Sequence, residues 1–315
     1  MNVRTLLRPL AAALILALVL PAATRADEYI DQANAMYNSI RQAKRSDLVL
    51  LPVVAKMDAP PAPVNRVTKA MLVAAGTSSW SAAESWANAA PQRAVLAALK
   101  EVVKIEDPVE AMAFGQPYGA AAVATNAEGV ALSGPRLSAD WAAPPMLAGA
   151  RFLYLDALEN VACLANVEAT RLAAEGKPDQ AISVMIDWLF FARQITDRQF
   201  FDEVRWGDRM MIRSMERIRD IAYVDFRYGK KDLTPSQIAA VLERLRNEGG
   251  YLRLDRMLFP MANKLAAQQV VAHTLDPEIG ERERTAQRAH AQRADHRQAV
   301  APDQERRREP AQLVH

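Results

Sequence analysis

From Met146 to Leu275 apolar residues recur three and four positions apart, and each interruption carries residues that end one helix and start the next. Gly176 and Pro178 separate a helix over 146–175 from one over 178–195. A third helix is expected over 200–223. Thr234 and Pro235 then supply an N-cap and a first-turn proline for a fourth through Leu245, which Asn247 to Gly250 stop. The last helix, over 252–275, carries Pro260 and is expected to be interrupted or kinked there. Such faces are buried by helix-on-helix packing, so the fold class is all-α, an array of antiparallel helical hairpins.

The N-terminal half is helical but more broken. Ile30, Ala33, Tyr37 and Ile40 mark an amphipathic helix over 28–46. Leu48 to Val54 is a short apolar run containing Pro52, compatible with a strand over 48–51, and Ala59 to Pro63 reads as a stiff extended linker. Helices follow over 80–89 and from Pro91, the latter with Val95, Leu96, Leu99, Val102 and Val103 on one face. Between 115 and 145 periodicity gives way to Gly, Pro, Ser and Asn, a long loop or linker. The resulting division is a signal peptide over 1–26, a helical block over 27–114, the loop over 115–145 and a helical array over 146–276. A charged tail over 277–315 carries too few apolar residues to offset its ordering entropy and reads as disordered.

Arg4 and Arg8 precede the apolar run Leu10 to Leu20, Pro21 ends it, and Thr24-Arg25-Ala26 offers small residues to a signal peptidase. The run is short for a bilayer span, so cleavage before Asp27, a periplasmic or secreted location and no stable membrane span afterwards are expected. Of 39 basic and 37 acidic residues, the leader removes Arg4, Arg8 and Arg25, leaving 36 against 37. That balance argues against a nucleic-acid partner, which needs a clustered basic surplus.

Cys163 is the single cysteine, so no intramolecular disulfide forms, and its place between Val161 and Leu164 reads as a buried thiol. The four histidines, His273, His290, His296 and His315, lie at or beyond the end of the last expected helix. The body is thus left without imidazole for a triad, a Cys-His nucleophile or a zinc site. No cofactor motif is present, and neither a cofactor nor a metal is expected.

Asp202, Glu203 and Asp208 gather near Arg198, Arg205 and Arg209 at a helix junction. As a carboxylate pair they could perform acid and base chemistry on a glycan or peptidoglycan, with Trp206 as a sugar platform. As helix neighbours they pair with arginines instead, Asp202 with Arg205 for example, and this reading is the stronger. Tyr118 and Trp141 in the central loop, with Trp206, are the candidate binding residues.

One stretch, Ala169-x-x-Leu172-x-x-x-Gly176-x-x-x-x-Ala181 within 162–195, resembles a tetratricopeptide repeat in its small and apolar positions. Trp188 stands where that repeat has a second-helix alanine, no proline closes the unit, and no second copy follows. The resemblance implies a helical hairpin of a non-catalytic binding protein. The expected function is therefore binding of a protein partner in the cell envelope or outside the cell, rather than catalysis.

Overall fold

The computed structural model describes residues 28–104, 111–118, 146–150, 152–227, 232–247 and 259–275. The leader, the loop over 119–145 with Trp141, residues 248–258 and the tail over 277–315 lie outside the described residues.

The described residues form an all-α fold: α1 (28–38), α2 (Ser46–Val54), α3 (Val67–Leu72), α4 (Trp80–Asn88), α5 (Ala90–Val102), α6 (Leu153–Ala174), α7 (Pro178–Ile195), α8 (Phe201–Arg227), α9 (Pro235–Asn247) and α10 (Ala262–Leu275). Its centre is α7, which packs between α6 and α8 and buries residues on all sides, among them Trp188, Phe190 and Phe191. Helices α2, α4 and α5 close the same core from the N-terminal half, through Leu50, Leu51, Trp86, Val95 and Leu99. Each large apolar side chain so buried contributes about 1.5–3 kcal/mol.

Local chemistry sets the helix ends. At the end of α6, Gly176 takes a φ of +73°, Lys177 N–H donates to Leu172 O at 2.9 Å and Gly176 N–H to Ala173 O at 3.2 Å. This is a Schellman turn, whose left-handed residue favours glycine. Pro178 then opens α7. At α9 Thr234 and Gln237 cap each other: Gln237 N–H donates to Thr234 Oγ1 at 3.3 Å and Thr234 N–H to Gln237 Oε1 at 2.8 Å.

Two expectations are corrected, and a third is met. The run over 48–51 is helical, not a strand: α2 accommodates Pro52 near its C-terminal end while Leu50, Leu51 and Val54 enter the core. Short apolar runs have no period that separates strand from buried helix. The first helix ends near residue 38 instead of 46, and a 3-10 turn at Gln42–Lys44 leads into α2. Residues 259–261 are non-helical, so the expected helix is interrupted at Pro260 and α10 starts after it; the expected helical residues 252–258 lie outside the described residues.

Helices α7 and α8 approach closely at Gly207, where an added Cβ would lie 2.7 Å from Thr196 Cγ2 and 3.0 Å from Ala192 O. Gly207→Val is expected to lower stability by about 1–3 kcal/mol through overpacking, whereas Gly207→Ala is milder. Urea denaturation measures both, and an unchanged midpoint for the valine variant refutes this contact as limiting.

Candidate functional site

The expected carboxylate cluster divides on folding. Successive helix residues point about 100° apart, so Asp202 and Glu203 cannot share a face. Asp202 is exposed, Glu203 is 0 % exposed and Asp208 is half-buried, its carboxyl raised by loss of water against the charge of Arg193. Arginine partners form differently from the expected Asp202–Arg205 pairing: Arg198 meets Glu203 at 2.8 Å, Arg193 meets Asp197 at 2.6 Å and Arg209 meets Glu159 at 3.7 Å.

Glu203 is the third residue of α8, where a carboxylate can reach back to free N–H groups and meet the positive end of the helix dipole. It accepts from Phe200 N–H at 3.2 Å, Arg198 Nε at 2.8 Å, Tyr118 Oη at 2.6 Å and, in a short contact, Tyr154 Oη. Arg198 is likewise 0 % exposed. Its Nη1 donates to Gln116 O at 2.7 Å, and its Cζ lies 4.1 Å from the Tyr37 ring centroid and 4.5 Å from that of Tyr118. The guanidinium therefore stays charged in the core, held by aromatic faces as well as by the carboxyl.

This knot fastens a non-helical segment. Residues 113–118 run between α1, α2 and the start of α8: Ala113 exchanges backbone bonds with Lys44 and Ser46 at 2.9 Å, Gly115 N–H donates to Asp47 Oδ1 at 2.9 Å, and Asn34 brackets Tyr118 through its N–H at 2.6 Å and its carbonyl at 2.8 Å. The Gln116 side chain, fully buried here, has no hydrogen-bond partner for either amide atom, nor does Arg198 Nη2. Each such group costs about 1–3 kcal/mol, so the knot is held by its charged contacts against a penalty.

Tyr118, expected on a binding loop, is thus a core residue, its ring edge-on to Tyr37 and Phe200. Trp206, expected to line a cleft, is 4 % exposed and packs edge-on against Trp188 at 6.2 Å. Both are buried because aromatic area is worth more packed, Tyr118 against Tyr37 and Phe200 and Trp206 against Trp188 of α7, than in water. Cys163 is buried, and loss of water pushes its thiol up to about 12. Among the described residues no group of three or more His, Cys, Asp or Glu side chains could hold a metal ion, and no helix is long and apolar enough to cross a membrane.

Two depressions flank α10. A groove of about 730 Å³ between α10 and α1 is lined by Tyr29, Ala267 and Val271 together with Glu28, Gln32, Lys264 and Gln268. On the other side of Ala267 a second depression of about 300 Å³ runs between α10, the 3-10 turn at Leu147–Gly149 and the start of α8, with Phe152, Phe200, Val270, Asn263 and Asp202 in its wall. Asp202 lines this second depression, and among the described residues neither Glu203 nor Asp208 joins it there.

Known protein families, characterised proteins and solved structures offer no match to this chain. Its chemistry must be read from its own geometry.

Burial pushes the Glu203 carboxyl up to about 8, with Tyr118 Oη and Phe200 N–H pulling it back. Its folded value lies above the ordinary 4.5, so the native state keeps a proton that the unfolded chain gives up. This group's stabilising contribution is complete below about 4.5 and lost as pH rises through about 8. Wild-type stability is therefore expected to fall across that window by a component missing in Glu203→Gln; parallel denaturation profiles for the two proteins reject this. Arg198→Met, which leaves the buried Glu203 carboxyl and Gln116 O without its hydrogen bonds, is expected to cost about 1–3 kcal/mol, and an unchanged stability contradicts the knot.

Proposed function

We propose that this is a non-catalytic, exported helical protein that binds a protein partner in the cell envelope or outside the cell, the module suggested by its tetratricopeptide-like hairpin. The observation that carries the reading is α10, a surface helix with apolar residues on both faces. Ala262 and Ala266 turn inward, while Val270, Val271 and Leu275 turn outward beside the groove. Exposed apolar side chains set among Lys264 and Gln268 suit a covering partner. Apolar groups mixed with polar ones match the anatomy of protein interfaces, and the segment that fits is one presenting an apolar side chain to Val271.

The hydrolase reading weakens on the same geometry. Glycoside hydrolysis by two carboxylates needs both to flank one bond, and Glu203 is enclosed while Asp202 stands alone at its depression.

Export is supported by the leader pattern of Arg4, Arg8, Leu10 to Leu20 and Ala26. A photo-crosslinking residue placed at Gln268 is expected to capture one protein from the native envelope fraction. Val271→Asp should reduce that adduct at least about tenfold, an anchor residue's effect, while the fold is retained. Release of glycan fragments that stops in Asp202→Asn would overturn the reading in favour of catalysis.

A further inference from the structure

The smaller depression beside α10 holds a charge that the fold does not use. Its wall is apolar, built largely from Phe152, Phe200, Ala266 and Val270, and among the described residues the only charged group lining it is the carboxylate of Asp202. A carboxylate in the first turn of a helix is ordinarily explained by the free N–H groups there. At α8 that work is done by others: Glu203 accepts from Phe200 N–H at 3.2 Å, and Asn263 Oδ1 accepts from Phe201 N–H at 2.8 Å. Among the described residues nothing donates to the Asp202 carboxylate, and neither Arg205 nor Lys264 pairs with it.

On the partner-binding reading above, we infer that this depression takes a lysine or arginine side chain of the protein partner, from the same segment that presents an apolar side chain to Val271. Charge and shape together name that occupant. A long basic side chain lays its aliphatic stem along apolar surface and keeps its charged head at the wet edge. Here Phe200 and Val270 meet the stem and Asp202 meets the head. A wholly apolar side chain would cover an unpaired carboxylate, and an acidic one would be repelled by it. A volume of about 300 Å³ is at the small end of ligand pockets, room for one side chain and not for a larger molecule.

The two depressions share Ala267, so the ridge between them is low. A helix with its side chains is about 10 Å across. An extended segment spans that distance in about three residues. The partner's segment therefore crosses α10 over Ala267, with its basic residue about three positions from its apolar one.

Chemical-shift titration of the full chain with alanine peptides tests this. The probes are acetylated and amidated, and each carries one leucine and, at that spacing in either order, a lysine, a norleucine or a glutamate. The lysine peptide is expected to bind about three- to fivefold tighter than the norleucine peptide, the worth of an exposed ion pair, and the glutamate peptide more weakly than both. Asp202→Asn is expected to remove the preference and Asp202→Lys to reverse it toward glutamate, which a loss of fold cannot do; added salt shrinks it. Equal affinity for lysine and norleucine, a lysine preference that survives Asp202→Asn, or no binding of the lysine peptide overturns the basic residue. The crosslink at Gln268 reports on the partner separately. An adduct that Val271→Asp abolishes and Asp202→Asn leaves at full strength keeps the partner and overturns its basic residue, whereas absence of any adduct overturns the partner itself.

Discussion

A guanidinium cannot be neutralised at any pH the protein meets, so the buried charge of Arg198 is the constraint around which the N-terminal half and the helical array are joined. Removing it from water costs several kcal/mol, offset only where geometry is good on every side. The chain supplies that geometry from distant places: Glu203 from α8, Gln116 O from the extended segment, and ring faces from α1 and that segment. No pair of these elements suffices alone. The knot therefore forms only when α1, residues 113–118, α6 and α8 are together, which makes a polar cluster the selector of one arrangement among several apolar ones.

Helix identity and most helix ends were legible in the sequence because caps are local. Pro178 and Ile195 bound α7 where the pattern puts them, and Thr234 caps α9 through a residue three positions away. Misreadings arose where local signals conflict with burial. The Leu48–Leu51 run looks like a strand because Pro52 follows it, yet the core needs Leu50 and Leu51 on adjacent helical positions and overrides the proline. At the site, Asp202, Glu203 and Asp208 were legible as a cluster, but their separation depends on contacts between residues far apart in sequence. Tyr118 and Tyr154 lie 85 and 49 positions from Glu203. Tyr154, Asn34 and Gln116 carry no local signal for the same reason, and Tyr37 reads only as one apolar position of the first helix. The one available signal was Glu203 three residues after Phe200, the spacing at which a carboxylate turns back onto its helix start.

Burial also separates chemistry from accessibility here. The side chains with the greatest chemical potential, a raised carboxyl, two tyrosines and an arginine, are enclosed, whereas the surface offers apolar faces and ordinary charges. In this chain the strongly perturbed group, Glu203, spends its chemistry on architecture.

Core and surface meet in α8. Glu203 near its start can satisfy its four donors at only one rotation of the helix about its own axis, and Gly207 fixes how closely that helix approaches α7. A helix turned by one residue would move every side chain by about 100°, carrying Glu203 out of the knot and swinging Ile212 and Tyr223 toward the core. The penalty for leaving Arg198 buried without its partner is therefore also what holds Ile212 and Tyr223 toward solvent, well beyond the reach of any direct contact with the knot.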